Sequence, residues 1–493
     1  MGDKSALSPN PGLNASLPMH RFVSFCLSSQ QHQLRSNENG QALAFPAAFW
    51  SRSMSLIEPP SLMGHAQIDA DACVHVAACA LTLPGEILLL IFKEVTAGSR
   101  VPTWPDIHID SARATAPFAF ATVCGYWRQL AIAFADLWTY LGFRTGQEQH
   151  ALLSLRIERS KNAPVDVFFH PASMSKEAKR CCSRLLELSS RWRHVDFKLP
   201  AGTYPGLSSC LTRPTPHLKS IVFDSHPSQD AMSLHDALPL TPSLRQMSIN
   251  SIARDWTWAS KSLLMLTEMS LWIHQWPASS LKTLLKHVSG TLETLSLCGE
   301  QTGPANDIGD SFVTLPQLVS LSVHHPKWLR HLRTPLLRRL SLWGTTLKFD
   351  PEVDRHLDAF RSVQELNLWG ILFCSHLDVL QILENVRTVH FSVPVVSYRT
   401  PGRRYEYCRL ELGLLRKIAK TKPPIWPLLH SVSFGNDNYK TEALMELNLE
   451  ELAPLSRRPV GEGNVRHYVQ LHATPSMPAL LRSRIAELNT SIV

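Results

Sequence analysis

The residues best suited to acid-base, nucleophilic or metal chemistry in this sequence are 22 histidines and ten cysteines, and neither set has the necessary spacing. No C-x-x-C pair and no Cys/His group at zinc spacing occurs, and His324-His325 is merely an adjacent pair at a strand end. The sequence also lacks a Walker loop, a G-x-S-x-G elbow and an H-E-x-x-H helix. We therefore predict a protein that is not an enzyme and uses no metal or cofactor.

A different chemistry, burial of apolar surface against a partner, is indicated near residue 83. The segment 83–88 reads Leu-Pro-Gly-Glu-Ile-Leu and opens a predicted helix. Pro84 suits the first helical position, and Glu86 falls in the first turn, where negative charge is favoured. The predicted apolar face of this helix consists of Ile87, Leu88 and Ile91, with Phe92 beside it.

A second apolar stretch, from Pro117 to Phe143, follows a polar connection that runs from Thr96 to Ala116. Its apolar residues recur every three or four positions, which is typical of a helix, and Gly125 then falls mid-helix at a cost of about 1 kcal/mol. The residues at this spacing are Phe120, Val123, Cys124, Trp127 and Phe134, and the stretch closes on Leu137-Trp138.

The ordered set Leu-Pro-x-Glu-Ile-Leu, Val-Cys-x-x-Trp-Arg and Leu-Trp resembles the F-box. It is similar to a large group of basidiomycete fungal proteins that join this motif to irregular leucine-rich repeats. The resemblance implies docking to a Skp-type adaptor and, through it, to cullin, in a ubiquitin ligase whose target the chain recruits. The residues that it implies for adaptor binding are Leu83, Pro84, Ile87, Leu88, Ile91, Val123, Cys124, Trp127 and Leu137. The alternative is that they form only an internal three-helix core, and Trp127 and Trp138 are expected to be the more internal ones.

Beyond Ala163 the pattern apolar-x-x-apolar-x-apolar recurs ten times, at steps of 19–26 residues and a last step of 43. The copies begin at Trp192, Leu218, Leu244, Leu266, Leu292, Leu318, Leu337, Val363, Val386 and Leu429. The last two apolar residues of each copy are two apart and therefore point to one face of a short strand. Between strands, 279–288 has helical spacing. The predicted fold is an α/β repeat: a short helical unit followed by an irregular solenoid that resembles the leucine-rich-repeat horseshoe.

Residues that alternate with the buried strand positions face the concave side of such a solenoid. The position between the last two apolar residues is serine in six of the ten copies. The next outward position carries Trp272, Trp343 and Trp369, with His324 in the same column. Tryptophan is enriched among residues that dominate binding energy, so these four residues are candidates for target binding. The alternative is that flanking loops cover them.

Basic residues cluster between Tyr398 and Lys422, where eight Lys or Arg stand against two Glu in a chain of net charge +8. A solvated loop or helix face is the plainer interpretation, and a nucleic-acid site outside any ligase is the alternative. The predicted organisation is a tail over 1–75, the F-box-like unit over 76–143, the solenoid over 144–450 with this basic insertion at 398–422, and a C-terminal tail over 451–493.

The compartment is predicted from cysteine use and from the absence of targeting signals. The scattered cysteines favour reduced thiols, and no apolar stretch of signal-peptide type precedes Arg21. The most hydrophobic stretch, 72–92, is interrupted by Pro84, Gly85 and Glu86, so no membrane span is expected. The sequence therefore predicts a cytoplasmic or nuclear protein without a membrane partner.

Overall fold

A computed structural model of the chain describes residues 83–97, 111–144, 149–200, 210–225, 234–250, 256–258, 263–272, 278–299, 312–324, 326–343, 360–369, 383–392, 426–434, 459–460, 467–473 and 479–490. The described residues fall into two compact units. The helical unit comprises the residues up to Gly142 together with Ala151–Ala163. The sheet unit comprises Phe143–His150 and Pro164 onwards.

The helical unit contains four described α-helices. They are α1 (Gly85–Ala97), α2 (Ser111–Val123), α3 (Gly125–Ala133) and α4 (Gln149–Arg159), with a 3-10 turn at Ala135–Trp138. Residues 151–159 of α4 lie beyond residue 143, at which the sequence placed the end of this unit.

Helix α1 begins one residue later than the sequence indicated. The Pro84 carbonyl accepts the first helical hydrogen bond, from the Leu88 amide at 3.1 Å, so Pro84 caps the helix and Gly85 is its first residue. A Cβ atom on Gly85 would lie 3.0 Å from the Tyr126 hydroxyl oxygen, so the start of α1 lies directly beside the start of α3. Glu86 occupies the first turn, as predicted.

The single helix predicted over the second apolar stretch is two helices. Helix α2 starts at Ser111, inside the segment predicted to be a polar connection, and contains Pro117. It ends at Val123 because Cys124 is extended, with φ −157° and ψ 174°. The Cys124 sulfur accepts a hydrogen bond from the Trp127 amide at 3.4 Å and caps α3. Gly125 is therefore the first residue of a new helix, and the mid-helix penalty expected for it does not apply.

An aromatic cluster forms the core of the helical unit. The Phe92 and Phe120 rings stack with centroids 4.0 Å apart, and Trp127 meets Phe92 edge-on at 5.0 Å. Trp138 donates its indole N–H to the Ala131 carbonyl at 2.7 Å. These side chains are buried, and together they close α1, α2, α3 and the 3-10 turn around one apolar centre.

Helix α4 is attached to α2 and the 3-10 turn by arginines. Arg156 donates to the Ala114 carbonyl at 2.7 Å, and its guanidinium lies 5.4 Å from the centroid of the Phe118 ring. Arg159 lies 5.5 Å from the centroid of Trp138. Burial lowers the pKa of Arg156 to about 10, so the side chain remains charged at neutral pH and is held by a carbonyl and an aromatic face.

The sheet unit is α/β, with one large, mainly parallel sheet. Thirteen described strands follow the order β1-β2-β3-β4-β6-β8-β9-β11-β13-β14-β15-β16-β19, and every pairing from β2 to β19 that the register defines is parallel. The strands are β1 (Tyr140–Arg144), β2 (Val165–His170), β3 (Trp192–Leu199), β4 (Ser220–Ser225), β6 (Gln246–Asn250), β8 (Glu268–Trp272), β9 (Thr294–Cys298), β11 (Ser320–Val323), β13 (Arg339–Trp343), β14 (Glu365–Trp369), β15 (Thr388–Ser392), β16 (Ser431–Phe434) and β19 (Gln470–Ala473).

The prediction of parallel strands at the ten repeat copies is confirmed. The last two apolar residues of every copy lie in a strand, from Val195 and Phe197 in β3 to Val432 and Phe434 in β16. Adjacent copies pair in register, as Leu340 does with Leu366, so equivalent side chains stack along the sheet. The stacked leucines of β9, β11 and β13 are buried, and they form the core of the unit.

A tight turn that the sequence analysis missed precedes the strands. In eight copies the amide of the first apolar residue donates to the carbonyl three residues earlier, at 3.1–3.3 Å. The pairs are Leu218–Thr215, Leu244–Thr241, Leu266–Leu263, Leu318–Leu315, Leu337–Thr334, Val363–Phe360, Val386–Leu383 and Leu429–Trp426. The residue that supplies the carbonyl is buried in each case, which makes the turn part of the core.

Three helices of the sheet unit are described: α5 (Lys176–Glu187), α6 (Ala278–Val288) and α7 (Ala479–Thr490). Helix α6 confirms the helix predicted over 279–288. Beyond residue 450, where the solenoid was predicted to end, β19 adds the last strand of the sheet and α7 follows it. The Asn489 side chain of α7 bonds both the amide and the carbonyl of Leu471, at 3.0 and 2.7 Å. Short strand pairs are β5 (Leu234–Ala237) with β7 (Trp256–Trp258), β10 (Val313–Thr314) with β12 (Leu332–Arg333), and β17 (Pro459–Val460) with β18 (His467–Tyr468).

Candidate docking and recognition surfaces

Three of the nine residues expected to bind an adaptor are part of the core of the helical unit. Leu88, Trp127 and Leu137 are at most 5% exposed, because they lie where the helices and the 3-10 turn face one another. A partner could reach them only if this core opened. We therefore correct their assignment from the docking surface to the core that supports it.

The other six predicted residues are at least partly accessible. Pro84 and Ile87 are exposed, and Leu83, Ile91, Val123 and Cys124 are half-buried. Cys124 has a defined structural role as the cap of α3, so its position in the motif is explained without a partner.

Leu90 is a surface residue that the sequence analysis missed. It is 63% exposed and stands one helical turn after Ile87, which is 44% exposed. Residues three apart share a helix face, so Ile87 and Leu90 form one apolar strip on α1. The three-residue spacing from Ile87 was the signal in the sequence that could have identified Leu90. Leu90 lies in an unbroken aliphatic run, however, and such a run does not show which side of the helix faces the core.

Tyr126 is exposed as well, but it does not belong to this strip, because Gly85, which it contacts, lies about 140–160° around the helix from Leu90 and Ile87. Its side chain is 43% exposed, and its hydroxyl lies against Gly85. Pro84, Ile87 and Leu90 are named the α1 surface below. Two large apolar side chains exposed one turn apart on one helix face leave more apolar area in water than isolated surface residues do, which is typical of an interaction site.

On the sheet unit the structure brings three of the four predicted target-binding residues together. The Trp272 ring meets His324 edge-on with centroids 5.8 Å apart, and His324 stacks on Trp343 at 5.0 Å with 18° between the planes. Trp343 also donates its indole N–H to the Ser322 hydroxyl at 2.8 Å. The backbone of Trp369 pairs with Trp343 in register, and its side chain lies outside the described residues.

Burial sets the ionisation of this aromatic row, which consists of Trp272, His324 and Trp343. It lowers the pKa of His324, so the imidazole is neutral at pH 7. Cys298 pairs in register with Trp272, and burial raises the pKa of its thiol although its hydrogen bond with Ser296 acts in the opposite direction. The row therefore presents uncharged aromatic rings at neutral pH.

The predicted serine positions line the same face and differ in their hydrogen bonding. Ser341 accepts from the Asn367 amide at 3.1 Å, and Ser433 bonds His390 at 2.6 Å. The hydroxyls of Ser248 and Ser270, which are neighbours in register on β6 and β8, are shielded from water and have no hydrogen-bond partner among the described residues. An unsatisfied buried hydroxyl costs about 1–3 kcal/mol.

The basic segment 398–422 lies outside the described residues, and so do the tail at 1–75 and His325. Within the described part of the chain, no group of three His, Cys, Asp or Glu side chains is arranged to hold a metal ion. None of the helices described is both long and apolar enough to span a membrane.

The sequence and the structure were compared with known proteins. No family model matches the sequence, and no curated protein does. One solved structure with some similarity is a crystal structure of a Bacteroides fragilis protein, a target of the Northeast Structural Genomics Consortium. It is 17% identical, with a TM-score of 0.25, and the match covers 39% of this chain and 59% of that one. The chain thus spans about three-fifths of the length of that protein, and we draw nothing from the likeness.

Proposed function

We propose that this chain is a substrate-recruiting adaptor subunit of a ubiquitin ligase of the Skp–cullin–F-box type. The α1 surface would dock to the Skp-type adaptor, and the sheet unit, as an irregular leucine-rich-repeat solenoid, would hold a target protein. The observation that carries the proposal is the exposure of Ile87 and Leu90 on a helix whose other side is fully engaged in an aromatic core.

Ile87 and Leu90 take no part in the core of the helical unit as far as the structure describes it. Leu88 and Phe92 already fill the inner side of α1, so polar residues at 87 and 90 would leave the core of the unit intact. Full burial of an isoleucine or a leucine against a partner contributes about 1.5–3 kcal/mol each. Two such residues on one helix face, with Pro84 at its start, would form the centre of a helical protein interface.

The sheet unit supports the recruiting half of the proposal. Its stacked parallel strands place one residue of every copy at the same level of one face, which gives an extended surface with repeating side-chain columns. The aromatic row lies in one of these columns, and Trp272 is 39% exposed there. A long face with a cluster of partly exposed aromatic rings suits protein recognition better than small-molecule chemistry.

In this proposal the chain is the non-catalytic subunit, and the transfer of ubiquitin belongs to its partners. The described cysteine thiols whose pKa shifts, Cys181, Cys182 and Cys298, are all shifted upwards by burial, which opposes the thiolate that transfer requires. In this role the chain would act in the cytosol or the nucleus.

Co-purification of the full-length chain with a Skp-type adaptor tests the proposal. The wild-type chain is expected to retain the adaptor, and the double variant Ile87→Asp, Leu90→Asp to lose it. Leu264→Asp is the matched control, because Leu264 is an equally exposed leucine in the sheet unit. Failure of the folded wild-type chain to retain any Skp-type adaptor, or equal retention by the double variant, would contradict the proposal.

A further inference from the structure

Strand β8 presents a stripe of three side chains on the outward face of the sheet. Glu268, Ser270 and Trp272 alternate with the buried Met269 and Leu271, so all three point to the same side. At about 3.3 Å per residue, the carboxylate end and the indole end of the stripe are separated by about 13 Å along the strand.

The two ends of the β8 stripe, Glu268 and Trp272, are open to a ligand. The Glu268 carboxylate is exposed and belongs to no ion pair of the described residues. The Ser270 hydroxyl between them is shielded from solvent and has no hydrogen-bond partner in the described part of the chain. Among the described residues no arginine or lysine lies over Trp272, although arginines lie over aromatic rings at four other places there.

The charges around the stripe leave Glu268 uncompensated. The residues in register with it are Gln246 on one side and Thr294 on the other. Farther along that row, Arg339 lies 3.8 Å from Glu365, so the cation nearest in the row already faces a carboxylate. At the other end of the stripe, His324 carries no charge at pH 7 because burial lowers its pKa. Within the described part of the chain, the stripe therefore combines an exposed carboxylate that belongs to no ion pair with a partly exposed aromatic ring that no cation covers.

We propose that the β8 stripe binds an extended basic segment of the target protein, with one Lys or Arg against Trp272 and a second one, four residues away, paired with Glu268. An extended segment repeats at the same 3.3 Å per residue, so side chains four apart lie on one side and match the 13 Å stripe. The first contact is a cation–π interaction and the second an ion pair. The inference rests on the proposed function, in which this face holds the target.

Acidic ligands fit the stripe less well. A phosphorylated or acidic peptide would bring negative charge to Glu268, and a single-stranded nucleic acid, although its bases stack well on tryptophan, would bring its phosphates there. A purely apolar segment would contact Trp272 and leave the carboxylate unused. Charge complementarity thus favours the basic segment among these ligands.

Fluorescence anisotropy with labelled peptides and the full-length chain at low salt tests the inference. The probe is a β-prone peptide with two lysines four residues apart. Comparison peptides carry norleucine or glutamate at both positions, or the lysines three apart, which places them on opposite sides. We expect the first peptide to bind most tightly, with binding that weakens as salt is added.

Substitutions in the β8 stripe test whether the peptide binds there. Trp272→Ala is expected to weaken it about tenfold and Glu268→Gln about threefold. Glu293→Gln is the matched control, since Glu293 is an exposed carboxylate next to β9 and outside the stripe, and it should bind as the wild type does. If circular dichroism shows that Trp272→Ala does not fold, Trp272→Phe, which keeps an aromatic face, is used to test whether the peptide contacts this residue.

Several results would overturn the inference: no binding by the wild type, equal binding of the norleucine peptide, tighter binding of the glutamate peptide or of a single-stranded oligonucleotide, or equal losses for Glu268→Gln and Glu293→Gln. Adaptor binding measured on the same preparation separates the two proposals. A chain that retains the adaptor and fails these peptide tests contradicts the inference alone. A chain that passes them without retaining any adaptor contradicts the ligase proposal alone.

Discussion

Ile87 and Leu88 are consecutive residues of α1 with opposite surroundings: Leu88 is fully buried in the aromatic core, and Ile87 is 44% exposed. Leu88→Ala should lower the free energy of unfolding by about 2–5 kcal/mol, because it leaves a cavity in that core. Ile87→Ala should lower it by less than about 1 kcal/mol, as surface substitutions usually do. Urea denaturation of both variants measures the difference, and equal losses would show that the two sides of α1 are misassigned.

An ion pair in the sheet unit with a buried carboxylate should be costly to break. Asp166 is 1% exposed and holds Arg193 through two hydrogen bonds of 2.8 Å. Arg193→Ala would leave that carboxylate buried without its cation, so we expect a loss of about 3–5 kcal/mol.

The control for this pair is Glu365→Gln. Glu365 lies 3.8 Å from Arg339, and more than half of each side chain is exposed, so the expected change is about 0–1 kcal/mol. The loss of unfolding free energy, measured by chemical denaturation, should therefore be severalfold larger for Arg193→Ala than for Glu365→Gln. A small loss for Arg193→Ala would contradict the assignment of Asp166 as a buried charge.

His324 should make stability depend on pH. Burial holds its folded-state pKa below the ordinary 6.5, so the unfolded chain binds a proton more readily than the folded chain does. The stability that the neutral imidazole supports is fully present above about pH 6.5 and is lost as the pH falls below that value. Among the described residues that face it, only Cys298 on β9 is titratable, and its raised pKa keeps it neutral over this range.

Urea denaturation at pH 5 to 8 measures this effect against His324→Phe, which retains a ring between Trp272 and Trp343. The wild type should lose more stability on acidification than the variant does. Identical pH profiles for the two proteins would show that His324 titrates as an exposed histidine.

Cys182 should resist alkylation in the folded chain. Burial, with smaller effects from Cys210 and Cys181, raises the pKa of its thiol to about 12, so roughly one molecule in ten thousand carries the thiolate at pH 8. Iodoacetamide labelling followed by peptide mass spectrometry should find Cys182 unmodified in native buffer and modified in denaturant. Rapid native labelling would contradict the burial of this helix face.

The sequence predicts the sheet well because its signal is repeated. A pair of apolar residues two apart, preceded by a third, specifies the same strand ten times, and α6 has the helical spacing of Leu281, Leu284 and Leu285. Strand β2 was missed because both of its faces are buried, so Val165–His170 has no alternation of apolar and polar residues. Strand β19 was missed because Leu471 belongs to no repeat copy.

The helical unit was harder to predict for local reasons. Cys124 interrupts the second helix through its backbone conformation, and nothing in the three-to-four spacing of Phe120, Val123 and Trp127 reveals that break. The spacing does identify which residues are apolar on a helix, but it does not separate Leu88, which faces the core, from Leu90, which faces away. That distinction depends on where α2 and α3 pack, and the predicted adaptor set accordingly mixed core and surface residues.

The affinity of the full-length chain for a purified Skp-type adaptor, measured by isothermal titration calorimetry, tests the central claim most directly. We predict that Ile87→Ala and Leu90→Ala each weaken binding at least tenfold while the unfolding transition stays unchanged, and that Leu264→Ala binds as the wild type does. Loss of each buried side chain from an interface typically costs 1.5–3 kcal/mol, which corresponds to such a change. No measurable heat of binding with the wild-type chain, or equal affinities for all three variants, would contradict the account.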